Sequence, residues 1–252
     1  MLDALDITAA QAALLVAIFA FGGVVKGATG FGLPLVTISL TPLVAPVDLA
    51  LALNTLILPI ANSAQFVWSG HHVASVMICW PIMLGVAITA VATPFFIAGI
   101  EPAELSGLLG AFLLVFTALS VRIPDFRIAP RYRTPAAFGA GLAGGVVGAV
   151  LTAPGPVFLT YLVSLRLDRR QLMSATGLLM TTVGLIISAS FAAAGILNGP
   201  RALASAGMAV PVFAGMWVGD RIGARMSVEA FRKLVLLMLF GLGLYHLSRS
   251  LA

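Results

Sequence analysis

Apolar residues run through this chain in ten stretches, separated by short polar or Gly/Pro-rich intervals. They cover approximately residues 9–25, 33–44, 49–68, 73–98, 105–121, 136–152, 156–165, 171–195, 202–219 and 232–249. A helix that crosses a bilayer needs about 20 apolar residues, with roughly 17 as the lower limit. The stretches at 33–44 and 156–165 fall short of that. Each is expected to be a half-helix, joined to the preceding stretch through a break at 26–32 or at 153–155. The pattern predicts an all-α polytopic membrane protein.

Laid against itself at an offset of 122 residues, with no gap, the chain repeats this layout. Gly22-Gly23-Val24-Val25 falls on Gly144-Gly145-Val146-Val147, and Pro34 falls on Pro156. Interrupted hydrophobic segments in corresponding halves mark secondary transporters and point to their binding sites. The expected organisation is a first repeat at 1–122, a basic linker at 123–134 and a second repeat at 135–252, each repeat carrying five segments.

The arginines decide whether each break turns the chain back. If it does, one side of the membrane holds Arg122, Arg127, Arg131, Arg133, Arg166, Arg169, Arg170, Arg221, Arg225, Arg232 and Lys233. The other side keeps only Arg201 and Arg249, beside Asp3, Asp6, Asp48, Glu101 and Glu104. If the broken segments crossed once instead, this bias would become a near-even split, against the positive-inside rule. Broken-helix hairpins are therefore expected, with a cytoplasmic linker and both termini in the periplasm. Five segments per half, an odd number, make the repeats inverted.

Composition closes off other classes. Hydrophobic residues make up 60% of the chain and charged residues 9%, with mean hydropathy +1.09; soluble domains carry roughly 25% charge. The net charge of +5 lies in loops between spans and reports orientation rather than nucleic-acid binding. Asp3 and Asp6, with no nearby Lys or Arg, do not resemble a signal-peptide start. Cys79 is alone, which excludes an intrachain disulfide. No H-E-x-x-H, Cys/His ligand set, G-x-S-x-G or P-loop occurs, so no enzyme, metal, cofactor or bound ATP is expected. The expected partners are lipid and a small solute.

The first break reads Lys26-Gly27-Ala28-Thr29-Gly30-Phe31-Gly32-Leu33-Pro34. Its glycines cost up to about 1 kcal/mol each relative to Ala in a helix, so the helix is expected to open here. Opened backbone at membrane depth must be buried in protein or line a wet cavity. It exposes N–H groups at the start of the next half-helix, where the dipole favours an anion and Pro34 suits the first turn. On propensity alone, alanine at Gly30 and Gly32 would leave stability unchanged or raise it. Lys26 has two readings: a charge that attracts an anion to the hairpin tip, or a lysine that snorkels to the interface.

The second break, Thr152-Ala153-Pro154-Gly155-Pro156, carries no charge; Thr152 and Gly155 are its hydrogen-bonding candidates. The two half-helix ends are expected to converge near the midplane and, with Lys26, to hold a small anion. Asn54 falls on Thr176 at the same offset. Both are candidates for the site, and interhelical hydrogen bonding is the alternative explanation. Gly141-x-x-x-Gly145 and Gly144-x-x-x-Gly148 read as helix-packing motifs.

Lys26-Gly-x-x-Gly30-Phe31-Gly32 after a first apolar helix, then Pro34 and a second Gly/Pro break about 120 residues on, resembles the TauE/SafE permeases. The resemblance spans nearly the whole chain. It implies transport of sulfite or small organosulfur anions, often as export, across a bacterial inner membrane. It places the family's glycine-rich motif on Gly27, Gly30, Phe31 and Gly32, with Thr29 inside it. The second break departs from the glycine-rich form of many relatives, so no role passes to Ala153 or Pro154. Export of such an anion is the leading expectation. Proton-coupled uptake, or a non-transporting intramembrane enzyme or assembly factor, are the alternatives.

Overall fold

The structure, a computed structural model, describes residues 3–97, 101–122, 127–223 and 228–250. Residues 123–126 of the linker and Arg225 lie outside the described residues. The described residues form eleven α-helices and no strand. These are α1 Ala9–Thr29, α2 Leu33–Leu40, α3 Val47–Ser69, α4 His72–Ile97, α5 Pro102–Arg122 and α6 Arg133–Leu151. They continue with α7 Gly155–Ser164, α8 Arg169–Ala193, α9 Gly199–Gly207, α10 Ala209–Gly223 and α11 Val228–Ser250. Six described segments are long and apolar enough to cross a membrane: Ala9–Thr29, Val47–Ser69, His72–Thr89, Pro130–Leu151, Arg170–Ala193 and Gly199–Ile222. The fold is all-α and polytopic.

The ninth apolar stretch lies in one candidate span, Gly199–Ile222, with a break at Met208 that divides it into α9 and α10. Pro211 has no N–H to give the Gly207 carbonyl four residues back, so the ladder loses a rung there. The first break is narrower than its glycine content suggests. α1 continues through Lys26, Gly27 and Thr29, and only Gly30, Phe31 and Gly32 leave the helix. At a rise of about 1.5 Å per residue α1 is roughly 31 Å long, so the break lies a full helix length from its Thr8 cap.

The helix ends follow the offset of 122 residues. α1 and α6 stop at Thr29 and Leu151, α2 and α7 start at Leu33 and Gly155, and α3 and α8 start at Val47 and Arg169. Every pair keeps the 122-residue offset. Both first helices close on a left-handed residue, Gly30 (φ 82°) and Thr152 (φ 51°). The Gly30 amide donates to the Lys26 carbonyl at 2.7 Å, and the Thr152 amide to the Gly148 carbonyl at 2.9 Å. Pro34 and Pro156 then sit in the first turns of α2 and α7.

Both breaks do turn the chain back. In the first hairpin, Gln11 in the opening turn of α1 donates through Nε2 to the Val44 carbonyl beyond α2, at 2.8 Å. In the second, Arg133 at the start of α6 and Leu165 just past α7 line one cavity.

The chain packs as two compact units that interleave the repeats. One comprises residues 1–54, 100–124 and 198–252, the other residues 55–99 and 125–197. In the first unit, α1 packs along α10 and α5 along α11. A Cβ on Gly23, Gly27, Gly215 or Gly219 would overlap the backbone carbonyl of Val212, Met216, Ala20 or Val24 respectively. Small residues thus let the two backbones touch. In the second unit α6 packs along α4 in the same way. A Cβ on Gly141 would overlap the Ile82 carbonyl, on Gly85 the Phe138 carbonyl, and on Gly145 the Thr89 side chain. The expected packing role of Gly141 and Gly145 is what the structure shows. In each unit, then, the first helix of one repeat lies against the fourth segment of the other.

Candidate functional site

In the first unit the break is built around two left-handed glycines. Gly30 caps α1, and Gly32 (φ 93°) precedes α2. The left-handed region costs an L-residue about 1–2 kcal/mol and costs glycine nothing, which overturns the expectation that alanine is harmless here. At Gly32 a Cβ would also press on the Val25 side chain at 3.2 Å. The Thr29 hydroxyl ties the turn together. It lies 2.8 Å from the carbonyls of both Val25 and Phe31 and accepts from the Phe31 amide at 3.3 Å. Thr29 and Phe31 are half-buried and hold the shape of the break. Gly27, one turn earlier, faces α10 through its contact with Met216.

Lys26 lies in the last turn of α1 with 2% of its surface exposed. A snorkelling lysine would show its ammonium at the surface of the protein; this one is enclosed by it. Burying an ionisable side chain inside a membrane protein is costly, which makes Lys26 a candidate for the solute pathway.

Asn54 reaches this region through a residue the sequence reading passed over. The Thr37 hydroxyl donates to Asn54 Oδ1 at 2.5 Å and lies 2.9 Å from the Leu33 carbonyl at the start of α2. Asn54 Nδ2 donates to the Ala50 carbonyl at 2.9 Å. Asn54 therefore braces α2 one turn behind its N-terminus. A polar threonine in an apolar half-helix was the available signal. His246 was also missed. Buried in α11, it donates from Nε2 to the Ser39 carbonyl at 2.8 Å, while Nδ1 lies 3.2 Å from the Ser106 hydroxyl of α5. It links three helices at the far end of α2.

In the second unit Thr152 takes the place that Gly30 holds in the first. It is fully buried and left-handed, and among the described residues its hydroxyl has no hydrogen-bond partner. A β-branched residue in the left-handed region is strained, and an unpaired buried hydroxyl adds to the cost. Three residues on, α7 opens at Gly155, where a Cβ would meet nothing within 4 Å. At the start of α7 the Val157 and Phe158 amides bond to the Pro154 carbonyl and Pro156 has no N–H, which leaves the Gly155 amide as the one this helix start can offer. An open space, a helix N-terminus and an unpaired hydroxyl thus come together at one break.

Thr176 is placed otherwise. It accepts from Gln65 Nε2 at 3.1 Å and donates to the Leu172 carbonyl at 2.7 Å, which joins α3 to α8. Gln65 also donates to the Met173 carbonyl at 2.9 Å. Asn54 and Thr176 correspond in position and differ in partners. The structure groups Lys26, Gly27, Thr29, Gly30, Phe31, Gly32 and Asn54 in the first unit, and Thr152, Gly155 and Thr176 in the second.

The family described as Sulfite exporter TauE/SafE matches residues 14–246, nearly the full length of the chain. The chain belongs to the TauE/SafE family. No curated protein or solved structure matches it. The match takes in both breaks, both hairpins and every candidate residue named above. A TauE/SafE protein is a multi-pass membrane transporter of the anion-exporter type, and the paired broken helices are what such a role requires.

Proposed function

We propose that this protein exports sulfite or a small organosulfonate across a bacterial inner membrane, and that its two broken hairpins handle the anion. The repeats, 1–122 and 135–252, are inverted about the basic linker, with both termini in the periplasm. α2 supplies one anion-facing N-terminus, with Lys26, the backbone of Gly30 to Gly32, and Asn54 as brace. α7 supplies the other, with the Gly155 amide and the Thr152 hydroxyl. The observation that carries the reading is Lys26, a cation enclosed by protein one turn before a helix break. Direction follows from charge. One elementary charge moved through the potential is worth about 2.3 kcal/mol per 100 mV, so a cytoplasm-negative potential drives an anion outward. Among the described residues no carboxylate is buried, so no acidic relay supports proton symport.

Proton-coupled uptake has one observation in its favour, the buried His246. Proteoliposomes separate the two readings. Flux of sulfite, thiosulfate, sulfate, sulfonates and carboxylates is measured under an imposed potential and, separately, under a pH gradient. Potential-driven flux confined to sulfite or sulfonates is the expected result. Flux that needs the pH gradient would move the assignment to proton coupling, and transport of carboxylates alone would overturn the substrate class.

A further inference from the structure

A cavity of about 240 Å³ lies within the second unit, where the N-terminal part of α4, the start of α6 and the end of α7 meet. Met77, Trp80, Pro81 and Leu165 give it apolar walls, and Arg133 and Tyr161 enter it as its charged and phenolic groups. Tyr161 is 6% exposed, yet among the described residues nothing hydrogen-bonds its hydroxyl. Arg133 sits at the first position of α6, and among the described residues no carboxylate pairs with it. The exposed guanidinium of Arg133 and the accessible hydroxyl of Tyr161, lining one recess, suit an acceptor with several oxygens and negative charge.

The surroundings say what carries that group. From the cavity an apolar stripe runs along α4 through Met77, Trp80, Leu84 and Ile88, which are 68%, 50%, 49% and 54% exposed. These spacings of three and four keep the four side chains on one face of the helix. A polar recess at the top of an exposed apolar track has the form of an amphiphile. We propose that this recess is a binding site for one anionic phospholipid. Its phosphodiester is held by Arg133 and the Tyr161 hydroxyl, and an acyl chain lies along α4. Basic pockets between membrane helices take anionic headgroups in this manner. The recess has room for a phosphodiester and its glycerol and not for acyl chains, which the α4 stripe accommodates.

The test uses the purified full-length protein in mixed micelles that contain phosphatidylglycerol or phosphatidylcholine. Lipid retained per protein is counted by native mass spectrometry, and thermal unfolding is followed in parallel. One tightly held phosphatidylglycerol is expected, with a higher unfolding midpoint than phosphatidylcholine gives. Arg133→Ala should weaken that retention about tenfold or more, as loss of a charge-assisted contact does, and Arg133→Lys should recover part of it. Tyr161→Phe keeps the ring and the packing, so it reports on the hydroxyl alone should Arg133→Ala fold poorly, and it should also weaken retention. Inorganic phosphate and glycerol 3-phosphate form the soluble arms. Equal retention of both lipids, or unchanged phosphatidylglycerol retention in Arg133→Ala and Tyr161→Phe, would overturn the proposal. So would full displacement of the lipid by inorganic phosphate, which would make this a free-anion site.

Discussion

Thr152 offers the sharpest test of the second break, because the structure holds it in two unfavourable states at once. Its left-handed backbone costs about 1–2 kcal/mol for an L-residue. Its buried hydroxyl without a partner costs about 1–3 kcal/mol. Thr152→Gly removes both terms. Against that gain it loses two buried carbons, at about 0.8 kcal/mol each. It also adds glycine backbone entropy of about 0.5–1 kcal/mol. The sum runs from neutral to about 3 kcal/mol in favour of the variant. At about 2–4 °C per kcal/mol, the unfolding midpoint in detergent should stay level or rise by several degrees. On the proposed role of the hydroxyl toward the solute, sulfite flux in proteoliposomes should fall. Thr152→Val keeps the branch and the strain and drops only the hydroxyl, so it should lose flux with little loss of stability. Thr152→Ser should keep flux. The thermal shift produced by added sulfite should be smaller in Thr152→Val than in the parent. A Thr152→Val protein that unfolds earlier and transports normally would show that the hydroxyl holds the fold together, and the argument would fail.

The first break yields two further expectations. Lys26→Met should insert and fold but lose anion binding and flux, and Lys26→Arg should keep part of both; normal sulfite affinity in a folded Lys26→Met protein would remove the lysine from the site. Alanine at both Gly30 and Gly32 should destabilise by about 2–4 kcal/mol, read as an earlier unfolding midpoint, because both positions are left-handed. An unchanged midpoint would mean that the backbone relaxes freely at the break.

What could be read from the residues was whatever depends on local chemistry. Pro34 and Pro156 announce first turns because a missing N–H is free of cost there, and they do sit in first turns. The hairpins followed from arginine placement, a global electrostatic constraint that survives in a linear text. The sign of φ at Gly30 and Gly32 did not follow, since helix propensity scores a glycine without knowing which region it occupies. The parting of α9 from α10 was obscured by hydropathy, which runs on through Pro211 although the hydrogen-bond ladder does not. His246 and the Ser39 carbonyl lie 207 residues apart, and nothing in either residue names the other. Partner choice between helices was the least legible feature. Gly27 was read as a site residue, and it packs with Gly23, Gly215 and Gly219 at a seam whose partner no local signal names.

That partner choice has a consequence for the repeats as pieces. α1 presents its glycine seam to α10, and α6 presents its own to α4, so each seam is completed by the other repeat. A first repeat made alone, residues 1–122, keeps Gly23 and Gly27 on α1 but lacks α10. Its α4 likewise keeps Gly85 without α6. Neither 1–122 nor 135–252 should therefore form a stable monomer, while the two produced together should co-purify and resist protease as the intact chain does. Self-association of 1–122 is the informative special case. α4 is the first repeat's fourth segment, as α9 and α10 form the second's, and it meets α6 through Gly85 and Thr89 as α10 meets α1 through Gly215 and Gly219. A second copy could thus offer its α4 to the first copy's α1, and a dimer of 1–122 would agree with the crossed pairing. A protease-resistant monomer of 1–122 would not, because it would require α1 to bury its seam within its own repeat.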